Sequence, residues 1–226
     1  MEHVYTFWEG QMPAYIDLCL KTWRVQYTVL NYNNLRNYIA VDIEPVKRFT
    51  LPQIADFVRV HVLEEYGGYW LDADTIMVTD ELPAETIMGN PETRVNSIGF
   101  LHTKPHSDMF TAWKAYQDGA VLGTSTAWNV FGNAFTDLYL KCHQEVSMHD
   151  IRNSFPETYM VKGDCSRYGK YQQFYFSESY GLQELEPAPL LMLHNSWTPD
   201  WYKRLTVSEI LTGNQCTMSN ILRAVL

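Results

Sequence analysis

The sequence predicts an α/β fold with a mostly parallel or mixed central sheet flanked by helices. Three observations carry that prediction. Short β-like runs alternate along the chain with helical periodicity, the pattern of helices laid on the faces of a sheet. Between Thr50 and Val78 a helix signal ends at a double glycine, passes into the apolar run Tyr69-Trp70-Leu71 and delivers two aspartates, Asp72 and Asp74. The chain has 226 residues, 46% of them hydrophobic, which is enough to bury a substantial core. No Ser/Gly linker, repeat or low-complexity block marks a boundary, so one domain over 1–226 is expected.

In chain order, Val4 to Trp8 reads as the first strand, Pro13 to Trp23 as a helix and Gln26 to Leu30 as the second strand. Leu51 to Tyr66 is the clearest helix. Thr50 can cap it, Pro52 sits where a first turn tolerates a missing N–H, and Ile54, Phe57, Val58 and Val62 form one apolar face. Gly67 and Gly68 can take the positive φ that ends the helix, and the aromatic run after them favours a buried strand, Tyr69 to Asp72. Thr75 to Val78, Ser97 to Leu101 and Leu190 to Leu193 are further strand candidates. Asp108 to Gln117, Gly132 to His143 and Ser208 to Leu211 are the remaining helix candidates.

The chemistry concentrates around Asp72 and Asp74. They are two apart, so in an extended chain they project to one side, and the small Ala73 leaves room for a ligand. Strand ends of this kind are where open α/β sheets bind ligands. Carboxylate oxygens are hard donors suited to Mg²⁺ or Mn²⁺, and such a cation can be shared with a substrate diphosphate. Asp56 and Arg59, three apart on the preceding helix, read by spacing alone as an i, i+3 ion pair. Trp8, at the end of the first strand, offers an indole for stacking a nucleobase, and Gly10 beside it allows close backbone approach. Core packing is the other reading of Trp8. Asn31 lies just beyond the second strand, within reach of a ribose or base. His194 is a candidate third ligand for Mn²⁺, Ser196 can reach a metal or phosphate, and the Trp197 indole N–H can donate to a phosphate oxygen.

These residues resemble a known family. Asp56-x-x-Arg59 followed by Tyr66-Gly67-Gly68-Tyr69-Trp70-Leu71-Asp72-x-Asp74 is similar to the core of glycosyltransferases with the DXD sugar-binding region. That group includes capsular polysaccharide synthesis transferases and yeast-type mannosyltransferases, and is similar to the catalytic domains of the large glucosylating toxins. Val4-Tyr5-Thr6-Phe7-Trp8-Glu9-Gly10 resembles the family's first strand, and Leu193-His194-Asn195-Ser196-Trp197 its closing element. Asn133 departs from the pattern, standing after Gly132 where the family often carries proline.

The resemblance implies a GT-A nucleotide-diphospho-sugar transferase fold and a hexosyltransferase dependent on Mn²⁺ or Mg²⁺. Asp72 would approach ribose or sugar and Asp74 the metal, with Asp72, His194 and Ser196 as further candidate ligands, while Asp56 would accept from hydroxyls of the donor sugar and Arg59 would donate to oxygens and hold Asp56 in position. The implied donor is a nucleotide sugar such as UDP-glucose or UDP-galactose, and the implied acceptor is a hydroxyl of a glycan or glycolipid. It also suggests retention at the anomeric carbon; an inverting enzyme would need a base, for which Asp108, Asp118 and Asp137 can be nominated by residue type alone.

The composition excludes several classes. A formal net charge of −9 argues against a protein whose affinity comes from neutralising nucleic-acid phosphates. No run of about 20 apolar residues suggests a membrane span. No apolar signal core precedes Val4, so a cytoplasmic location is expected. Cys19, Cys142, Cys165 and Cys216 are far apart and lack zinc spacing, which points to ordinary thiols. The alternatives are a nucleotide-sugar hydrolase or nucleotidyltransferase, and a non-catalytic carbohydrate-binding module using some of the 7 Trp, 15 Tyr and 10 Phe.

Overall fold

A computed structural model describes residues 2–150, 171–184 and 188–226. Cys165 lies outside the described residues. Two compact units emerge, one built from Met1–Gly10, Val25–Asp72 and Ala84–Asp150, the other from Gln11–Arg24, Ala73–Pro83 and the described residues after Asp150.

The first unit holds a six-stranded mixed sheet. Its strands are β1 (Val4–Phe7), β2 (Tyr27–Leu30), β3 (Gly68–Leu71), β5 (Ile87–Gly89), β6 (Asn96–Thr103) and β7 (Met148–Asp150), in the order β2-β1-β3-β6-β5-β7. β1 runs parallel to β2 and β3, β6 runs antiparallel to β3 and β5, and β5 is parallel to β7. The helices of this unit are α2 (Leu51–Tyr66), α3 (Asp108–Leu122) and α4 (Asn133–Cys142). Phe57, Val58, Val62 and Leu63 of α2 enter one core with Leu101 of β6 and Phe110 and Trp113 of α3.

Helix α2 has the bounds expected from sequence, because its stop and start signals are chemical. The Thr50 backbone N–H and hydroxyl both donate to Gln53 Oε1, at 3.0 and 2.8 Å. At the other end Gly67 has φ 64° and ψ −159°, a region essentially confined to glycine, and Gly68 has φ 85°. A Cβ on Gly67 would stand 2.5 Å from Pro105 Cδ, and one on Gly68 would stand 2.5 Å from the His3 carbonyl oxygen. The double glycine thus lets the chain turn from α2 directly into β3.

The second unit contains α1 (Ala14–Lys21), β4 (Thr75–Met77), β8 (Leu190–Met192), the one-turn α5 (Asp200–Lys203) and α6 (Thr217–Val225). β4 and β8 form a separate antiparallel pair, with Thr75 opposite Met192. Tyr15, Ile16, Ile76, Leu190, Tyr202, Met218, Ile221 and Leu222 are fully buried here.

Several expectations are corrected. Asp72 follows β3 rather than ending it, and Ala73 and Asp74 form a turn, so the chain is not extended through the acidic pair. The reason is that β4 leaves the six-stranded sheet to pair with β8. Helix α3 runs on to Leu122, and the segment expected as a helix from Ser208 is a π-turn over Glu209–Gly213. β5, β7 and α6 were not anticipated. Of the described thiols, Cys19 and Cys216 are buried and Cys142 is exposed, none in a disulfide.

Candidate functional site

In the first unit, the end of β3 and one face of α2 bring together Asp56, Arg59 and Asp72. Spacing of three on a helix puts Asp56 and Arg59 on one face. Arg59 is 4% exposed and its Nη2 lies 2.9 Å from Asp56 Oδ1 and 3.2 Å from Asp72 Oδ1. Its other terminal nitrogen donates to the Ile98 carbonyl of β6, and its guanidinium carbon lies 5.0 Å from the centre of the Trp70 ring. Trp70 also donates its indole N–H to Asp72 Oδ1 at 2.9 Å. Asp72 stands one residue past β3, just before the turn at Ala73 and Asp74, where its carboxylate meets that indole.

One buried cation therefore serves two carboxylates. Asp56 is buried, and loss of hydration raises its pKa to about 7; Arg59 works against that rise and the Asp72 charge adds to it. Gly132 closes over this group, since a Cβ there would come within 2.8 Å of Asp56 Oδ2. Gln117 donates to the Asp56 carbonyl at 2.8 Å and to the Phe131 carbonyl at 2.6 Å, tying α3 to both the helix and the segment that carries Gly132.

Trp8 sits one residue past β1, its backbone N–H donating to Leu30 at 2.9 Å, and its indole Nε1 is buried without a hydrogen-bond partner among the described residues. Asn31 is committed to its own turn: Oδ1 accepts from the backbone N–H of Asn33 at 2.9 Å and of Asn34 at 3.3 Å. Gly10 has φ 85°, and a Cβ there would meet nothing within 4 Å. The backbone conformation, and not crowding, is what asks for glycine at this position. Of the aspartates nominated as bases, Asp137 accepts from Asn96 Nδ2 at 3.0 Å, Asp118 faces His61 Nε2 at 3.4 Å, and Asp108 opens α3.

In the second unit, Asp74 is 9% exposed and its Oδ2 accepts the Asn195 backbone N–H at 2.6 Å. The Tyr15 hydroxyl donates to Asn195 Oδ1, and burial raises the pKa of that phenol, with the Asp74 charge adding to the rise. His194, Asn195, Ser196 and Trp197 lie at a 3₁₀ turn, where the Trp197 N–H donates to the His194 carbonyl at 2.9 Å. The His194 and Trp197 rings pack 4.3 Å apart, and the His194 backbone N–H donates to the Tyr171 hydroxyl at 3.1 Å. His194 is exposed and packs on aromatic neighbours. Among the described residues, no three His, Cys, Asp or Glu side chains form a group able to hold a metal ion.

The family description that matches residues 2–164 is "Capsular polysaccharide synthesis protein". The chain belongs to this family. The matched region contains Trp8, Asn31, Asp56, Arg59, Asp72 and Asp74, while the turn from His194 to Trp197 lies beyond it. No curated protein matches the sequence. Among solved structures, the chain is similar to one described as "PaToxG Glycosyltransferase", with a TM-score of 0.47, 16% identity, and coverage of 64% of this chain and 69% of that one.

Sequence reasoning missed three contributors to these family positions. Trp70 was read as a strand residue, and its bond to Asp72 depends on how the chain leaves β3. Gly132 was noted for its place before a helix, and its contact with Asp56 depends on tertiary structure. Asn195 holds Asp74 through a backbone N–H, which no residue-type signal reveals.

Proposed function

We infer that the protein transfers a sugar from a nucleotide diphosphate, with UDP as the nucleotide, to a hydroxyl acceptor, assisted by a divalent cation. The observation that carries this reading is the buried Asp56–Arg59 pair at the end of β3, with the partly exposed carboxylate of Asp72 against the same guanidinium. An isolated ion pair of this kind is a poor stabiliser, because desolvation offsets most of its Coulombic gain. Here a second carboxylate is added and Asp56 is pushed to about 7, a perturbation of the sort found where charge is arranged for a ligand. Above pH 7, where Asp56 is ionised, two carboxylates against one guanidinium leave negative charge to meet sugar hydroxyl donors.

In this reading Asp56 accepts from hydroxyls of the donor sugar, and Arg59 fixes Asp56 while holding Asp72 in place. Trp8 stacks on the uracil, and its unpaired indole N–H gives it a donor for a ligand oxygen. Asn31, its side-chain oxygen already used in a turn, contributes at most its amide NH₂.

The oxygen donors of Asp72 and Asp74 fit Mn²⁺ or Mg²⁺, hard cations that commonly keep waters and share substrate phosphates, so a full cage of protein ligands is not required. When bound, the cation supplies charge stabilisation for the leaving diphosphate. His194 and Ser196 remain candidates for the same role, and the Trp197 N–H for a phosphate oxygen. In the reaction the acceptor oxygen bonds to the anomeric carbon and the bond from that carbon to the diphosphate oxygen breaks. The bonding pair leaves with UDP, and the hydroxyl proton passes to UDP or water.

Thermal shift with UDP and GDP, each with and without Mn²⁺, tests the reading. Saturating UDP with Mn²⁺ is expected to raise Tm by roughly 5–10 °C, as mass action predicts for a ligand at about 100 times its Kd. Asp74→Asn should remove the Mn²⁺-dependent part and nearly abolish transfer while the fold persists. A UDP shift indifferent to both Mn²⁺ and this substitution would overturn the metal-assisted reading.

A further inference from the structure

Beside the Asp56 group lies a segment unlike the rest of the first unit. Leu122 to Trp128 is exposed throughout, with Leu122 at 90% and Trp128 at 72%. A solvent-facing indole forgoes the burial that an aromatic side chain usually gains. Its backbone is nevertheless firmly held. Gln53 Nε2 donates to the Ala127 carbonyl at 2.9 Å, and Arg48 donates to the carbonyls of Val121 and Gly123 at 2.7 and 2.8 Å. Val130 N–H donates to Ala127 and Gly132 N–H to Asn129, each at 3.0 Å, and Val130 and Phe131 are buried in the core. The ring is thus presented outward from a fixed base.

That base is next to the candidate donor site. Gln53, which holds Ala127, is one turn before Asp56 on the same face of α2. Gly132, four residues after Trp128, abuts Asp56 Oδ2. A turn over Asn129 to Gly132 keeps those two Cα atoms within about 7 Å, so the Trp128 Cα lies within roughly 11 Å of the glycine.

The sheet order decides which substrate this ring would meet. Trp8 and Asn31 lie at the ends of β1 and β2, and Asp72 at the end of β3. Continuing across, Arg59 bonds Ile98 of β6, and the same Ile98 side chain lies against Gly132. Gly132, the inner anchor of the segment that carries Trp128, therefore lies on the β6 and α4 side of Asp56, while Trp8 and Asn31 stand at strands on the other side of β3. We propose that Trp128 is the acceptor platform, its indole stacking on the C–H face of a pyranose in a saccharide acceptor and holding a hydroxyl of that sugar toward the donor. The proposal rests on the transferase reading above.

The surroundings of the ring favour a saccharide over a lipid surface. Thr124, Ser125, Thr126 and Asn129 supply hydroxyls and an amide that match sugar hydroxyls. No lysine or arginine occurs between Leu122 and Asn129, the adjacent Arg48 is engaged with the Val121 and Gly123 carbonyls, and the chain carries a net charge of −9, a poor complement to anionic lipid.

Saturation-transfer NMR of gluco-, galacto- and manno-oligosaccharides against the full chain, with no donor present, tests Trp128 separately from transfer. Wild-type protein is expected to saturate at least one series, Trp128→Ala to weaken that binding about tenfold or more, and Trp128→Phe to retain most of it. The Mn²⁺-dependent UDP shift should be unchanged in both variants. With a donor identified, Trp128→Ala should raise the acceptor KM and leave slow hydrolysis of the donor by water intact. Equal oligosaccharide binding by wild type and Trp128→Ala, or no binding by wild type to any series, would overturn the proposal. So would loss of binding to phosphatidylglycerol vesicles with saccharide binding unchanged, or loss of the UDP shift. Failure of the UDP shift in wild type, with Trp128-dependent saccharide binding present, would instead sink the donor reading and leave a carbohydrate-binding surface.

Discussion

Arg59 faces two carboxylates with a single charge, and the consequence falls on Asp56. Burial disfavours its ionised form more than Arg59 favours it, so its folded pKa stands at about 7 against an ordinary 3.8. Between those values the folded state holds the proton more tightly than the unfolded chain. Stability contributed by this group therefore falls as pH rises from about 4 to about 7, and the full penalty is present above 7. Asp56→Asn keeps the shape and removes the charge, so it should raise Tm at pH 8 by roughly 2–4 °C for each kcal/mol recovered, a gain that fades toward pH 4. Transfer should nevertheless fall about 10- to 100-fold, the loss expected for removing a charged acceptor from sugar hydroxyls. Thermal melts and initial rates across pH 4–9 measure both; a variant less stable than wild type at pH 8 would mean that Arg59 outweighs burial. The pairing of Asp56 with Arg59 was legible from their spacing alone. The raised pKa was not, because it arises from the depth at which α2 is buried.

At the scale of elements, the passage from α2 into β3 is fixed by two glycines that do different things from Gly10. All three have positive φ, but a Cβ on Gly68 would strike the His3 carbonyl at 2.5 Å, whereas one on Gly10 meets open space. Gly10→Ala should cost only the backbone term, about 1–2 kcal/mol. Gly68→Ala should cost more, because β1 has to move away from β3 or the turn has to open. Urea denaturation of the two variants reads the difference, and equal losses would show that backbone conformation alone is at stake. Helix α2 was legible to the residue because Thr50, Pro52 and the glycines state its ends chemically. β5 and β7 were not, since each is three residues long and exists through pairing, β5 with both β6 and β7. Helix α6 did carry a signal, with Met218, Ile221, Leu222 and Val225 at helical spacing and buried.

For the molecule as a whole, the chain passes five times between its two compact units, at residues near 10, 24, 72, 83 and 150. No linker composition marks these passages, and the first four are short connections between folded elements. This interleaving has an energetic consequence. β4 belongs to the second unit and its partner β8 lies more than 100 residues later in the chain, with Ile76 paired to Leu191. Tyr15 of α1 likewise packs on Tyr202, their ring centres 6.0 Å apart. A fragment ending at Asp150 keeps every strand of the six-stranded sheet but leaves Tyr15, Ile76 and Met77, all fully buried or nearly so, without these later partners. At about 1.5–3 kcal/mol for each large apolar side chain, exposing the three forfeits an amount comparable with the net stability of a typical domain. Such a fragment is expected to self-associate and to bind a hydrophobic dye strongly at pH 7, while the full chain does neither. Size-exclusion chromatography and dye fluorescence distinguish the outcomes. A monomeric 1–150 fragment with the near-ultraviolet circular dichroism of a packed core would show that the first unit stands without the rest, and that the interleaving is a matter of connectivity alone.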